Sequence, residues 1–220
     1  MARCTIWIPL VPLTEPGRAS APSVLLEIGI EPGGYGADPD TSRQRLCGYG
    51  LARALADAQA ALAAAGLPSP ARNWTREPPV WHVANPDARL SNAAGAALGL
   101  ALGELLYDGR CPGSRLIASG HFLPVSAAHG ARLAPDRRLA GKLVAARALG
   151  PQAAPLPFLV PAHTPEGIAI VQEYAEPIAA LSALNIPVTP VASLEEAVAA
   201  CWRLDQDVHS APTSKRTIPS

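Results

Sequence analysis

Asp87-Ala88-Arg89-Leu90-Ser91-Asn92-Ala93-Ala94-Gly95, running into Ala96-Ala97-Leu98-Gly99-Leu100-Ala101-Leu102-Gly103-Glu104-Leu105-Leu106, decides how this chain is read. A polar turn delivers the chain into a helix built of Ala, Gly and Leu. Small residues let that helix approach other backbone closely, and the free N–H groups of its first turn face whatever sits there. Such a helix start presents a nucleophile or holds an anion. Ala93, in the pocket position, carries no reactive group.

Working outward, Val80-Trp81-His82-Val83 reads as a strand feeding the turn, and the helix ends near Tyr107-Asp108-Gly109. Arg115 to Val125 reads as a strand, a turn and a second short strand. Pro135 suits a first helical position, with a helix over Asp136 to Leu149. Then come a short strand at Pro157–Pro161, a helix at about Pro165 to Leu184, and a strand at Pro187–Val191. Ser193-Leu194-Glu195-Glu196 caps a last helix to about Leu204. Upstream, Cys4–Leu10 and Val24–Ile30 are strands separated by a Pro/Gly/Ser-rich loop, and Glu31 to Gly36 is a turn. Asp40-Thr41-Ser42 caps a helix over about Arg43 to Ala65, closed by Gly66-Leu67-Pro68. The order predicts a mixed sheet interleaved with helices, an α/β or α+β two-layer domain over residues 1–204, with a flexible tail at 205–220.

Composition narrows the function classes. The 220 residues are 49% hydrophobic, enough for one sizeable core. Eighteen basic residues balance 18 acidic ones, so no electrostatic footprint for nucleic acid or an anionic membrane is present. Cys4, Cys47, Cys111 and Cys201 are scattered without a CxxC pair, which predicts reduced thiols in a cytoplasmic protein. The first residues lack the pattern of a secretory signal, and no apolar run approaches ~20 residues. Ala140-Gly141-Lys142-Leu143 lacks the remaining glycine and hydroxyl of a phosphate loop. His82, His121, His129, His163 and His209 are dispersed with no metal-binding spacing, so no metal or other cofactor is expected.

The order of these segments resembles the proteolytic domain of the Lon family. There a strand leads through an acidic and basic loop to Pro-Ser-Ala-Gly at a helix start, and the serine is the nucleophile. Here His82-Val83, Pro86-Asp87-Ala88-Arg89 and Asn92-Ala93-Ala94-Gly95 follow that course, with Ala93 in the serine's place. The family continues with a strand ending Thr-Gly-Glu, a Leu-Pro step, and a helix carrying Lys-Leu-Leu-Ala-Ala, whose lysine is the base. Ala118-Ser119-Gly120-His121, Leu123-Pro124-Val125 and Lys142-Leu143-Val144-Ala145-Ala146 stand at these places. The resemblance spans about Cys4 to Trp202. It departs at Ala93, at His121 where the family has glutamate, and in extra residues around Ala127 to Arg138.

The resemblance implies a ribosomal S5 domain 2-like mixed sheet and a serine–lysine peptidase without a fused ATPase. Its expected partners are a protein or peptide substrate, a separate protein that delivers it, and further copies of itself in a homo-oligomer. Position 93 is then the nucleophile site, Lys142 the general base and Ser119 its assistant. Asp87, Arg89, Ser91, Asn92 and His121 are candidate substrate contacts. A lysine acts as base only when neutral; burial and a helix N-terminus both disfavour its ammonium form. Only Lys142 and Lys215 are lysines in a chain that otherwise uses arginine, and a guanidinium does not give up its proton. Three explanations of Ala93 stay open: a serine replaced to trap an inactive form, a naturally inactive relative that binds a partner, or a takeover by Ser91. In the last, two residues at a helix start turn a side chain by about 200°, which demands a rebuilt loop. The rival to the peptidase is a non-catalytic interaction module on the same fold.

Overall fold

A computed structural model describes residues 3–10, 24–33, 39–67, 79–84, 94–124, 130–136 and 138–210. Six strands form one mixed sheet: β1 (Cys4–Leu10), β2 (Val24–Pro32), β3 (Pro79–Val83), β4 (Arg115–Ala118), β5 (Phe158–Pro161) and β6 (Val188–Val191). The spatial order is β3-β2-β1-β4-β5-β6. The β1–β2 and β2–β3 pairs are antiparallel, and β1–β4, β4–β5 and β5–β6 are parallel. The helices among the described residues are α1 (Pro39–Gly48), α2 (Ala52–Ala64), α3 (Ala97–Tyr107), α4 (Leu139–Ala146), α5 (Ile170–Glu173), α6 (Ala175–Ser182) and α7 (Leu194–Ser210).

Alternation along the strands sorts side chains onto two faces. Ile6, Ile8, Leu116, Ala118 and Leu159 point one way, into a core completed by α2, α3 and α7. Trp7, Ile117, Phe158 and Val160 point the other way, against Leu139 and Leu143 of α4 and Leu181 of α6. The sheet is therefore covered on both sides. The two-layer expectation is corrected to three layers, because the parallel strands are apolar on both faces and each face needs helices.

The connections show how the two sides meet. The β3–α3–β4 and β4–α4–β5 crossovers move the same way along the sheet, yet α3 and α4 lie on opposite faces. They have opposite hands, so one of them departs from the right-handed rule. Strand β4 is where the chain passes from one face to the other.

Five expected elements differ. The single helix over Arg43 to Ala65 is two, broken at Tyr49-Gly50-Leu51, where Gly50 has φ +78 and the Leu51 N–H donates back to the Leu46 carbonyl at 3.2 Å. Apolar spacing runs across the break because Leu46, Leu51 and Leu55 all enter the same core. The helix expected from Pro165 begins at Ile170: Thr164 to Ile168 is a tight loop closed by Thr164 N–H to Ile168 C=O at 2.9 Å, and Glu173–Tyr174–Ala175 divides the rest. The second strand expected after the turn at Ser119 is a single bridge, Phe122 with Leu133. The helix expected from Pro135 starts at Leu139, and the last helix continues through 205–210, residues expected as tail. The loop expected at 13–23, the loop expected from Pro68 to Pro79 apart from Pro79 itself, which opens β3, and the remainder of the tail at 211–220 lie outside the described residues. Among the described residues, no helix is long and apolar enough to cross a membrane.

Candidate active site

The carboxyl end of β4 is tied to the start of α3. The Gly120 N–H donates to the Gly95 carbonyl at 2.9 Å, and the Leu98 N–H donates to the Gly120 carbonyl at 3.1 Å. Beside this clamp, the Ser119 N–H continues the sheet by donating to Leu159 at 3.0 Å. Ser119 is fully buried, and its Oγ has no hydrogen-bond partner among the described residues. An unpaired buried hydroxyl is unfavourable by roughly 1–3 kcal/mol, so this serine is not explained by stability.

The chain beyond Ser119 leaves and comes back. The Leu123 N–H donates to Arg132 and the Ala134 N–H to His121, both at 2.9 Å, so the segment 131–134 lies along 121–123. That return sets Asp136 beside the clamp. Its Oδ1 accepts the Arg138 N–H at 2.9 Å, and its Oδ2 takes the Lys142 Nζ. Lys142 and Asp136 are each only 6% exposed.

Lys142 springs from α4, on one face of the sheet, and its amine reaches the start of α3, on the other. A methyl carbon placed on Gly95 would lie 2.8 Å from Lys142 Nζ and 3.8 Å from Ser119 Oγ. Glycine at 95 is what leaves room for the amine. The structure thus brings Gly95, Ser119, Asp136 and Lys142 together at the carboxyl end of β4.

His121 stands at the edge of this cluster. Burial lowers its pKa from the ordinary 6.5; the Asp136 carboxylate pulls it upward and the Lys142 charge pushes it down. Position 93 and the candidate contacts Asp87, Arg89, Ser91 and Asn92 lie outside the described residues. Among the described residues, no group of three or more His, Cys, Asp or Glu side chains is placed to hold a metal ion. A cavity of about 290 Å³ lies beside the returning segment, lined by Leu133, Pro135, Pro161 and His163 among others. Another, of about 220 Å³ between Ser114 and Leu204, is at the opposite end of β4 and belongs to no part of this cluster.

One member of the cluster was not found from the sequence. Asp136 was read as the first turn of a helix, and six positions before Lys142 is not a helical pairing distance. Lys142, expected to be a buried amine assisted by Ser119, is paired with the Asp136 carboxylate. No protein-family model matches the chain, and no curated protein matches it.

Proposed function

We propose that this chain has the proteolytic-domain fold of the Lon family and carries the base half of a serine–lysine peptide-hydrolysing site. Lys142 is the general base, Ser119 assists it, and position 93 is where the nucleophile belongs. The observation that carries the reading is the Lys142 amine lying against Gly95, two positions after residue 93, at the start of a small-residue helix. In the reaction, a hydroxyl at position 93 attacks the substrate carbonyl as Lys142 takes its proton. The N–H groups at the helix start hold the developing oxyanion, and the Ser119 hydroxyl, in the same cluster, is the group left to bond the amine during turnover. With alanine at 93 the attacking oxygen is absent, and the chain as written cleaves no peptide.

The test is Ala93→Ser, assayed on an unfolded protein or a fluorogenic peptide pool. Peptidase activity is expected, falling roughly 10²–10⁴-fold when Lys142→Ala is added, the usual weight of a general base. A folded Ala93→Ser variant that stays inert sinks the reading. It would favour the second one, a partner-binding module on the same fold, for which the alanine and the engaged Lys142 amine already speak.

A further inference from the structure

We propose that Asp136 is the residue that makes Lys142 a usable base: it aims the amine at the start of α3 and takes up the proton the amine must shed. The inference rests on the reading of Lys142 as general base. Asp136 Oδ1 is held by the Arg138 N–H, which fixes the carboxylate, and Oδ2 accepts from Lys142 Nζ. Among the described residues, no other acid pairs with Lys142. A buried ion pair is weak support for a fold, since apolar side chains of similar size often serve as well or better. The pair here has a chemical use instead.

With Lys142 as ammonium, Nζ has no lone pair to offer. Moving one proton from Nζ to Oδ2 breaks an N–H bond, makes an O–H bond, and leaves a neutral amine beside a neutral acid. The pair's net charge stays zero throughout, so the exchange strands no lone charge in the buried cluster. The freed lone pair takes the proton of a hydroxyl at position 93 while its oxygen bonds to the substrate carbonyl carbon. When the peptide C–N bond breaks, Nζ passes that proton to the leaving nitrogen. Oδ2 then returns its own proton to Nζ. An arginine in place of Lys142 could not do this.

Asparagine at 136 keeps an oxygen that can face Nζ but cannot carry its proton, whereas glutamate can. In the Ala93→Ser background, Asp136→Asn should lower kcat by about 100-fold or more with KM changed less than about 2-fold, and Asp136→Glu should recover to within about 10-fold of the parent. Circular dichroism checks that each variant is folded. A second readout needs no activity: in the unaltered chain with ¹⁵N-labelled lysine, there are two side-chain amines, Lys142 and Lys215. Slow exchange of the Lys142 ammonium protons with water is expected, and its loss in Asp136→Ala. Unchanged kcat in a folded Asp136→Asn variant overturns the proposal and leaves the peptidase reading standing. An inert Ala93→Ser variant overturns both. Fast exchange at Lys142 in the unaltered chain overturns the pairing itself.

Discussion

Lys142 is tolerable in the interior because Asp136 answers its charge, and the converse holds for Asp136. Lys142→Met keeps the apolar stem and removes the cation, leaving a buried carboxylate alone. Urea denaturation should show a loss of roughly 3–5 kcal/mol, and Lys142→Met with Asp136→Leu should regain at least half of it. A double variant as unstable as the single one would mean the stranded carboxylate is not the cause. His121 supplies a pH signature at the same place. Its folded-state pKa is held below 6.5 chiefly by burial, so the unfolded chain binds the proton more readily. The contribution is fully present above the unfolded value and is lost as pH falls through 6.5 toward the folded one. His121→Gln should therefore narrow the stability difference between about pH 7.5 and pH 5.5, measured by urea titration at each; an unchanged difference would refute it. At this scale the sequence singles out Lys142 and Ser119, and the structure brings both to the carboxyl end of β4. Asp136 was not legible, because its approach to Lys142 depends on α4 starting only at Leu139.

Helix α3 shows how much of an element's placement is written in its small residues. A methyl on Gly99 would lie 2.9 Å from Ile8 Cδ1, and one on Gly103 would meet Ile6 as well as Ile30 Cδ1 at 2.8 Å and Trp81 at 3.0 Å. The helix rests directly on β1 because these positions have no side chain. Gly103→Ala gains about 1 kcal/mol of helix propensity but overpacks the core by roughly 1–3 kcal/mol, so a net loss is expected. Gly48, the last residue of α1, has open space where a methyl would go, and Gly48→Ala should instead stabilise by about 0.5–1 kcal/mol. Thermal denaturation of both variants checks the opposite signs; a gain at Gly103 would show that α3 can rise off the sheet. The strands were readable from their apolar runs and bounding prolines, and Ser193 does cap α7, accepting the Glu196 N–H at 3.3 Å. The break between α1 and α2 was not readable, since apolar periodicity reports which face is buried and not whether the backbone stays helical through Gly50.

The described residues form two cores with one sheet between them. Because α3 and α4 leave β4's neighbourhood on opposite faces, neither core can be lost without freeing strands the other needs, and the cluster at the end of β4 draws Gly95 from one side and Lys142 from the other. Cooperative unfolding follows from that sharing. Trp81 is buried in the α3 core and Trp7 in the α4 core, where its indole N–H donates to Glu27 at 3.2 Å and the Arg115 guanidinium stacks over its ring at 5.0 Å. With Trp74 and Trp202 changed to Phe, adding either Trp7→Phe or Trp81→Phe leaves one reporter on one face. Each new variant shifts stability by its own amount, so the comparison is made within a variant, between its tryptophan fluorescence and its far-ultraviolet circular dichroism. Coincident urea transitions are expected in both variants. A fluorescence midpoint that precedes the helix signal on one face would show that this face opens alone, and the cluster at β4 would then come apart before the fold does.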